Sequence, residues 1–273
     1  MNFTEILREL GLWHHIQIAL IGLPRISVFL VFTPFLGGTT LLSGQMKVPV
    51  IAALYFFIHP ILLGQLPEGA EVFTLGLLYT TAIILKESFL GFLLAYLSSL
   101  IFWAVQSAGF VMDNQRGASQ ATVSDPLAGE ETSPLGSFLF QSLVYLFFVS
   151  GAFLSFLLLI FQTYVLWPPD HWLFNPGSPQ LPLFIASMVS WLMSKMLLLA
   201  GVVLIASLLV DFALGLINRF ASQLNVYILA MPIKSGLAML IVLISFPLFI
   251  GTGPDLFESM INAILSLRPI LSP

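Results

Sequence analysis

Residues 183–216 read LFIASMVSWLMSKMLLLAGVVLIASLLVDFALGL. Only two ionisable side chains interrupt this stretch, Lys195 and Asp211. A helix of about 20 residues crosses the roughly 30 Å hydrocarbon core of a bilayer, so this segment is long enough to span one. No period-2 alternation of apolar and polar residues runs through it, which argues against a strand of a β-barrel. The stretch predicts a membrane helix.

The rest of the chain has the same character. Of 273 residues, 22 are charged (nine Lys+Arg, thirteen Asp+Glu), or 8%. A soluble domain of this length would carry about 68 at the usual quarter share. Hydrophobic types make up 58% and mean hydropathy is +1.01. So few charges cannot cover a water-soluble globule. A net charge of -4 supplies no basic stripe for phosphates, which excludes nucleic acid as a partner. With no cysteine, disulfides, thiolate-ligated metals and thiol catalysis are excluded. Glu5, Arg8 and Glu9 do not make a positively charged leader, so the first apolar segment is expected to remain in the protein.

Apolar segments are expected over about 16–36, 48–63, 72–85, 88–112, 135–167, 183–216 and 224–250, with a short tail helix beyond Pro254. Lys86 and Glu87 divide the long 72–112 stretch in two. The prediction is an all-α, multi-pass membrane chain of six to eight helical segments forming one domain, 1–273. Trp13, Trp167 and Trp172 fall near segment ends, where aromatic residues anchor at the interface. Acidic breaks at 64–71, 168–180 and 251–258 are expected to face away from the cytoplasm.

Ionisable groups within apolar segments carry the information about function. Each costs about 2.5–3.5 kcal/mol at a helix centre on insertion scales, and so needs a partner, water or a snorkelling route. They are Arg25, Lys86, Glu87, Lys195, Asp211 and Lys234. As helical neighbours, Lys86 and Glu87 are expected not to face each other. Lys195 and Asp211, sixteen residues apart, would lie about 24 Å apart on nearly opposite faces of one helix. They therefore cannot pair with each other. The set describes an ion pathway, a polar subunit interface or structural pairing.

Two further segments stand out. Asp113–Gly117 reads DNQRG. Asp113 and Arg116 are positioned to pair at i,i+3 if the turn is helical, and Gly117 would then end the helix. The polar stretch to Ser133 is either a solvated loop or a re-entrant element lining a cavity. In Asn225–Gly236, Pro232 and Lys234 fall mid-segment, as in an ordinary proline kink or a helix broken at a functional site. His14, His15, His59 and His171 are scattered, and no catalytic or phosphate-binding motif occurs. No enzyme activity, metal or cofactor is expected.

The stretches VMDNQRGASQA (111–121), DPLAGEETSPLG (125–136) and INRFASQLNVYILAMPIKSGLA (217–238) resemble the T subunit of the type III secretion export apparatus, SctT, the counterpart of flagellar FliR. The resemblance spans essentially the whole chain. It implies long helical hairpins assembling into a ring-like export gate at the bacterial inner membrane, partly raised toward the periplasm. Implied partners are the R and S subunits, the U-type switch protein, the V-type export gate, membrane lipid, and unfolded secreted proteins as cargo. The plug or gate loop would be Gln106, Asp113, Gln115, Arg116, Gly117, Ser119 and Asp125. Buried polar positions toward neighbouring subunits would be Lys86, Glu87, Lys195, Asp211, Gln223, Asn225, Pro232 and Lys234. The rival is a small-solute or ion transporter using the buried Lys, Glu and Asp residues; an intramembrane enzyme lacks a second catalytic Asp or a Ser/His pair.

Overall fold

A computed structural model describes residues 11–36, 44–67, 76–117, 133–171, 180–220 and 225–271. Every regular element among them is helical: α1 Leu12–Phe32, α2 Gly44–Gln65, α3 Leu77–Arg116, α4 Pro134–Val149, α5 Ala152–Leu166, α6 Gln180–Phe220, α7 Val226–Leu265 and α8 Arg268–Leu271. Five of these are long and apolar enough to cross a membrane, or up to six with α4 and α5 counted as one broken span. The all-α, multi-pass expectation therefore holds.

Four expected boundaries do not. The helix α3 runs for 40 residues straight past Lys86 and Glu87, because both side chains find partners sideways and neither needs the helix to open. The 135–167 stretch is two helices, separated at Ser150–Gly151, where Gly151 takes φ +76°, a left-handed conformation that suits glycine. Conversely, α7 continues through Pro232, Pro247 and Pro254. These prolines are exposed on the helix surface and leave the helix unbroken, so the expected tail helix is absorbed into α7. The 251–258 break is likewise helical.

The chain divides into two compact units. The first comprises Met1–Ser99, Phe153–Phe184 and Ser259–Pro273. In it α1 packs along α2, and Gly22 leaves room for the side chain of Leu62. Phe156 fills the space beside Phe29 and Phe35, at ring separations of 5.5 and 5.8 Å. Gly91 lets α3 press against the carbonyl of Arg25 on α1.

The second unit comprises Leu100–Ala152 and Ile185–Glu258. Its core holds Phe102, Phe147 and Phe257, with Phe147 at 5.5 Å from Phe102 and 5.0 Å from Phe257. Here α3 and α4 meet backbone to backbone at Gly109 and Gly136. The apolar window of α3 is 72% buried, against 22% for α6 and 11% for α7. Thus α3 is the internal helix, while α6 and α7 present apolar side chains outward.

A methyl group on Gly91 would strike the Arg25 backbone, which cannot step aside as a flexible side chain can. Gly91→Ala is expected to lower stability by about 1–3 kcal/mol. Gly201→Ala meets nothing within 4 Å and should not lower it, since alanine is the better helix former. Thermal melting of the detergent-solubilised protein distinguishes them; equal melting temperatures would overturn the close approach.

Candidate functional site

Arg25 is fully buried on an apolar helix, so each of its donors needs an acceptor inside the protein. Its Nε donates to Glu87 Oε2 at 2.7 Å. The other two nitrogens donate to Thr163 Oγ1 at 3.2 Å and the Trp167 carbonyl at 2.8 Å. The Tyr164 ring lies 4.1 Å from the guanidinium carbon, a cation–π contact. Tyr164 in turn donates its hydroxyl to the Gly22 carbonyl at 2.8 Å.

Lys86 works on the same helix end. Its Nζ donates to the carbonyls of Pro168, Pro169 and His171 at 3.4, 2.7 and 2.9 Å. These carbonyls follow the C-terminus of α5, where no intrahelical donors remain and cations are favoured. Contrary to the sequence expectation, Lys86 also lies 3.1 Å from Glu87 Oε1. The contact lacks hydrogen-bond geometry and is an ion pair by proximity. Adjacent side chains leave the helix about 100° apart, but the flexible lysine stem bends its ammonium back over that angle.

The second cluster begins where α3 ends. Arg116 donates from Nε to Asp113 Oδ1 at 2.7 Å, the expected i,i+3 pair. Gly117 ends the helix at φ +82°, also as expected. The other carboxylate oxygen of Asp113 accepts from Ser133 Oγ at 2.6 Å and the Leu135 amide at 2.9 Å. Ser133 itself caps α4, accepting from the Gly136 amide at 2.9 Å. An anion at the first turn of α4 is favoured by the helix dipole. Arg116 continues to Ser235 Oγ on α7, at 3.0 Å, and Gly117 stands beside Met231 of the same helix. Asp113 therefore joins the end of α3 to the start of α4.

The remaining expected residues divide. Lys195 and Asp211 do not pair. Asp211 is instead bonded by Lys234 of α7 at 2.8 Å, and Lys195 stands 5.8 Å from the Trp191 ring. Asn225 accepts from the Ile228 amide at 3.4 Å as α7 begins. Pro232 lies within unbroken helix. Gln106 is exposed and Gln115 half-buried on α3. Ser119, Asp125 and Gln223 lie outside the described residues.

Sequence reasoning missed the partners of Arg25, the backbone cradle of Lys86, and the roles of Ser133 and Ser235. It also read the histidines as scattered, whereas His15 Nδ1 and His59 Nε2 lie 2.8 Å apart and Tyr55 reaches His59 at 2.8 Å. For Arg25, the only signal was an arginine in one apolar segment and a glutamate beside Lys86 in another.

These clusters hold the chain of a multi-pass helical membrane protein together; their polar atoms face each other and the backbone rather than an open reaction site. The chain belongs to the bacterial export proteins, family 1, which it matches over residues 16–260. It is 39% identical to Yop proteins translocation protein T of Yersinia pestis, over 91% of this chain and 93% of that protein. It is 31% identical to surface presentation of antigens protein SpaR of Salmonella typhimurium, over 85% and 84% of the two chains. Flagellar biosynthetic protein FliR of Bacillus subtilis is 26% identical, over 90% and 93%.

Removing one partner of a fully buried pair leaves an uncompensated charge, at a cost of about 3–5 kcal/mol. Glu87→Ala should therefore abolish accumulation of folded protein in the membrane. The double variant Arg25→Met with Glu87→Leu, which removes both charges, should recover a substantial part. Quantitative immunoblotting of membrane fractions tests this; a double variant no better than Glu87→Ala would show that the pair is not the determinant.

Proposed function

We propose that this chain is a structural and gating subunit of the type III protein-secretion export gate in the bacterial inner membrane. It contributes wall and plug to a protein-conducting channel and has no catalytic role. Membership of the export family over residues 16–260 supports the reading, as do the similarities to a Yop translocation protein and a flagellar biosynthetic protein. Its partners are the R and S subunits, with the U-type switch protein and V-type gate beside them. Unfolded secreted proteins are the cargo, and the assembled ring stands partly raised toward the periplasm.

One observation carries the gating role. The DNQRG motif ends α3 and clamps the start of α4 through a single carboxylate, that of Asp113. Asp113 thereby fixes the end of α3 to the start of α4, on either side of residues 118–132, as a gate carried by those residues requires. The transporter alternative finds less support. Glu87 and Asp211 are each spent on a cationic partner within the chain, and no line of free carboxylates remains from that set to relay an ion. In the proposed assembly Asp211 and Lys234 meet neighbours as a neutralised pair.

Deleting Ser119–Ser124, or replacing Gly117 by Val at its positive φ, should make the closed complex leak small ions. Asp113→Asn, which weakens the clamp without shortening the loop, should leak less than the deletion and more than wild type. Single-channel or whole-membrane conductance provides the measurement. Wild-type conductance in the deletion variant would sink the plug assignment.

A further inference from the structure

The second unit contains a cavity of about 300 Å³ between α3, α4, α6 and α7. Its wall is almost wholly apolar, with Met112, Leu199, Val203, Val242 and Phe249 among its lining residues. One cation faces it, Lys195. Among the described residues no carboxylate lies within ion-pair distance of Lys195, although Arg25, Lys86, Arg116 and Lys234 each have one. We propose that this cavity is a lipid site that takes an acyl chain of an anionic phospholipid, with the headgroup held at Lys195.

Charge and depth agree on that occupant. The wall is apolar and carries one cation, which matches an acyl chain joined to an anionic headgroup. A lysine in an apolar segment is costly without a counterion, and a phosphate supplies one. Trp191 lies one turn before Lys195 and stacks near its ammonium at 5.8 Å. Tryptophan followed by lysine is the pattern of a membrane interface. From Met196 the sequence runs without charge to Val210, which is about 22 Å of helix below that level. The headgroup would thus sit at the interface and the acyl chain would run down the apolar wall. The site needs only the membrane, not the export role.

Native mass spectrometry of the chain as purified from membranes, with whichever subunits remain bound, tests the site. Phosphatidylglycerol and phosphatidylcholine with identical acyl chains would be titrated in. Wild type should retain phosphatidylglycerol at about fivefold lower concentration, the preference one interfacial lysine provides. Lys195→Gln should erase that preference, and Lys195→Arg should keep it. Leu199→Trp, which fills the cavity, should weaken both lipids; Lys195→Gln alone decides if that variant fails to fold. An unchanged preference in Lys195→Gln overturns the proposal. Loss of a bound subunit from Lys195→Gln with lipid retention unaltered also overturns it, and assigns Lys195 to a neighbour's carboxylate. Co-purification of no partner at all would count against the export reading and leave the lipid titration intact.

Discussion

A fully buried arginine must have all of its charge and its donors answered by protein, because its surroundings offer nothing else. For Arg25 the answers come from Glu87 of α3, and from Thr163 and Trp167 of α5 and its end. Those contacts close over sequence separations of 62, 138 and 142 residues. Apolar packing alone is permissive about which helix face meets which, since leucine against leucine is nearly as good in several registers. A charge with one satisfied arrangement is not permissive. The Arg25 cluster therefore selects the mutual placement of α1, α3 and α5, and the apolar contacts of Phe29, Phe35 and Phe156 fill in around it. Such a pair specifies structure more surely than it adds stability, since desolvation offsets much of the attraction.

In the second unit Asp113 applies the same constraint to a different end. Two of its contacts are local, to Arg116, and two reach across 118–132 to Ser133 and Leu135. The carboxylate thus serves as a helix-terminal anion for α4 and as counterion to the last arginine of α3. Because Arg116 also reaches Ser235, the base of the loop is tied to α7. Any force that moves α7 past α3 would be felt first at Arg116, then at Asp113 and the start of α4. This is a contiguous polar path that ends at the first turn of α4.

What the sequence made legible follows from the range of each interaction. Hydropathy read α1, α2 and α6 to within a few residues, because burial in an apolar medium is a property of the window itself. The Asp113–Arg116 pair and the terminating Gly117 were legible too, since both rest on spacing within one helical turn. Breakers misled at Lys86–Glu87, which do not divide α3 because their partners lie sideways; of the two readings of Pro232, the broken helix is the one excluded, since α7 runs through it. The Ser150–Gly151 break was missed, although glycine at positive φ leaves only a faint mark among residues this apolar. The partners of Arg25 were illegible, since nothing in a single sequence records a contact 142 residues away.

Unpaired charges in apolar segments first pointed toward an assembly, and most of those charges prove to be paired within the chain. The case now rests on length. Leu183 and Phe220 are 68% and 89% exposed near opposite ends of α6, with exposed Leu198, Ile205 and Phe212 between them. Thirty-seven residues separate the two ends, which is about 55 Å of helix. A hydrocarbon core of about 30 Å could contain that length only if the helix tilted by about 57°, beyond the 0–40° that membrane helices adopt. Water cannot cover the excess without exposing a continuous apolar stripe. Tilted within that range, the hydrocarbon covers about 30–39 Å of the stripe, so the length of α6, rather than its charge, favours a protein neighbour beside one end of it.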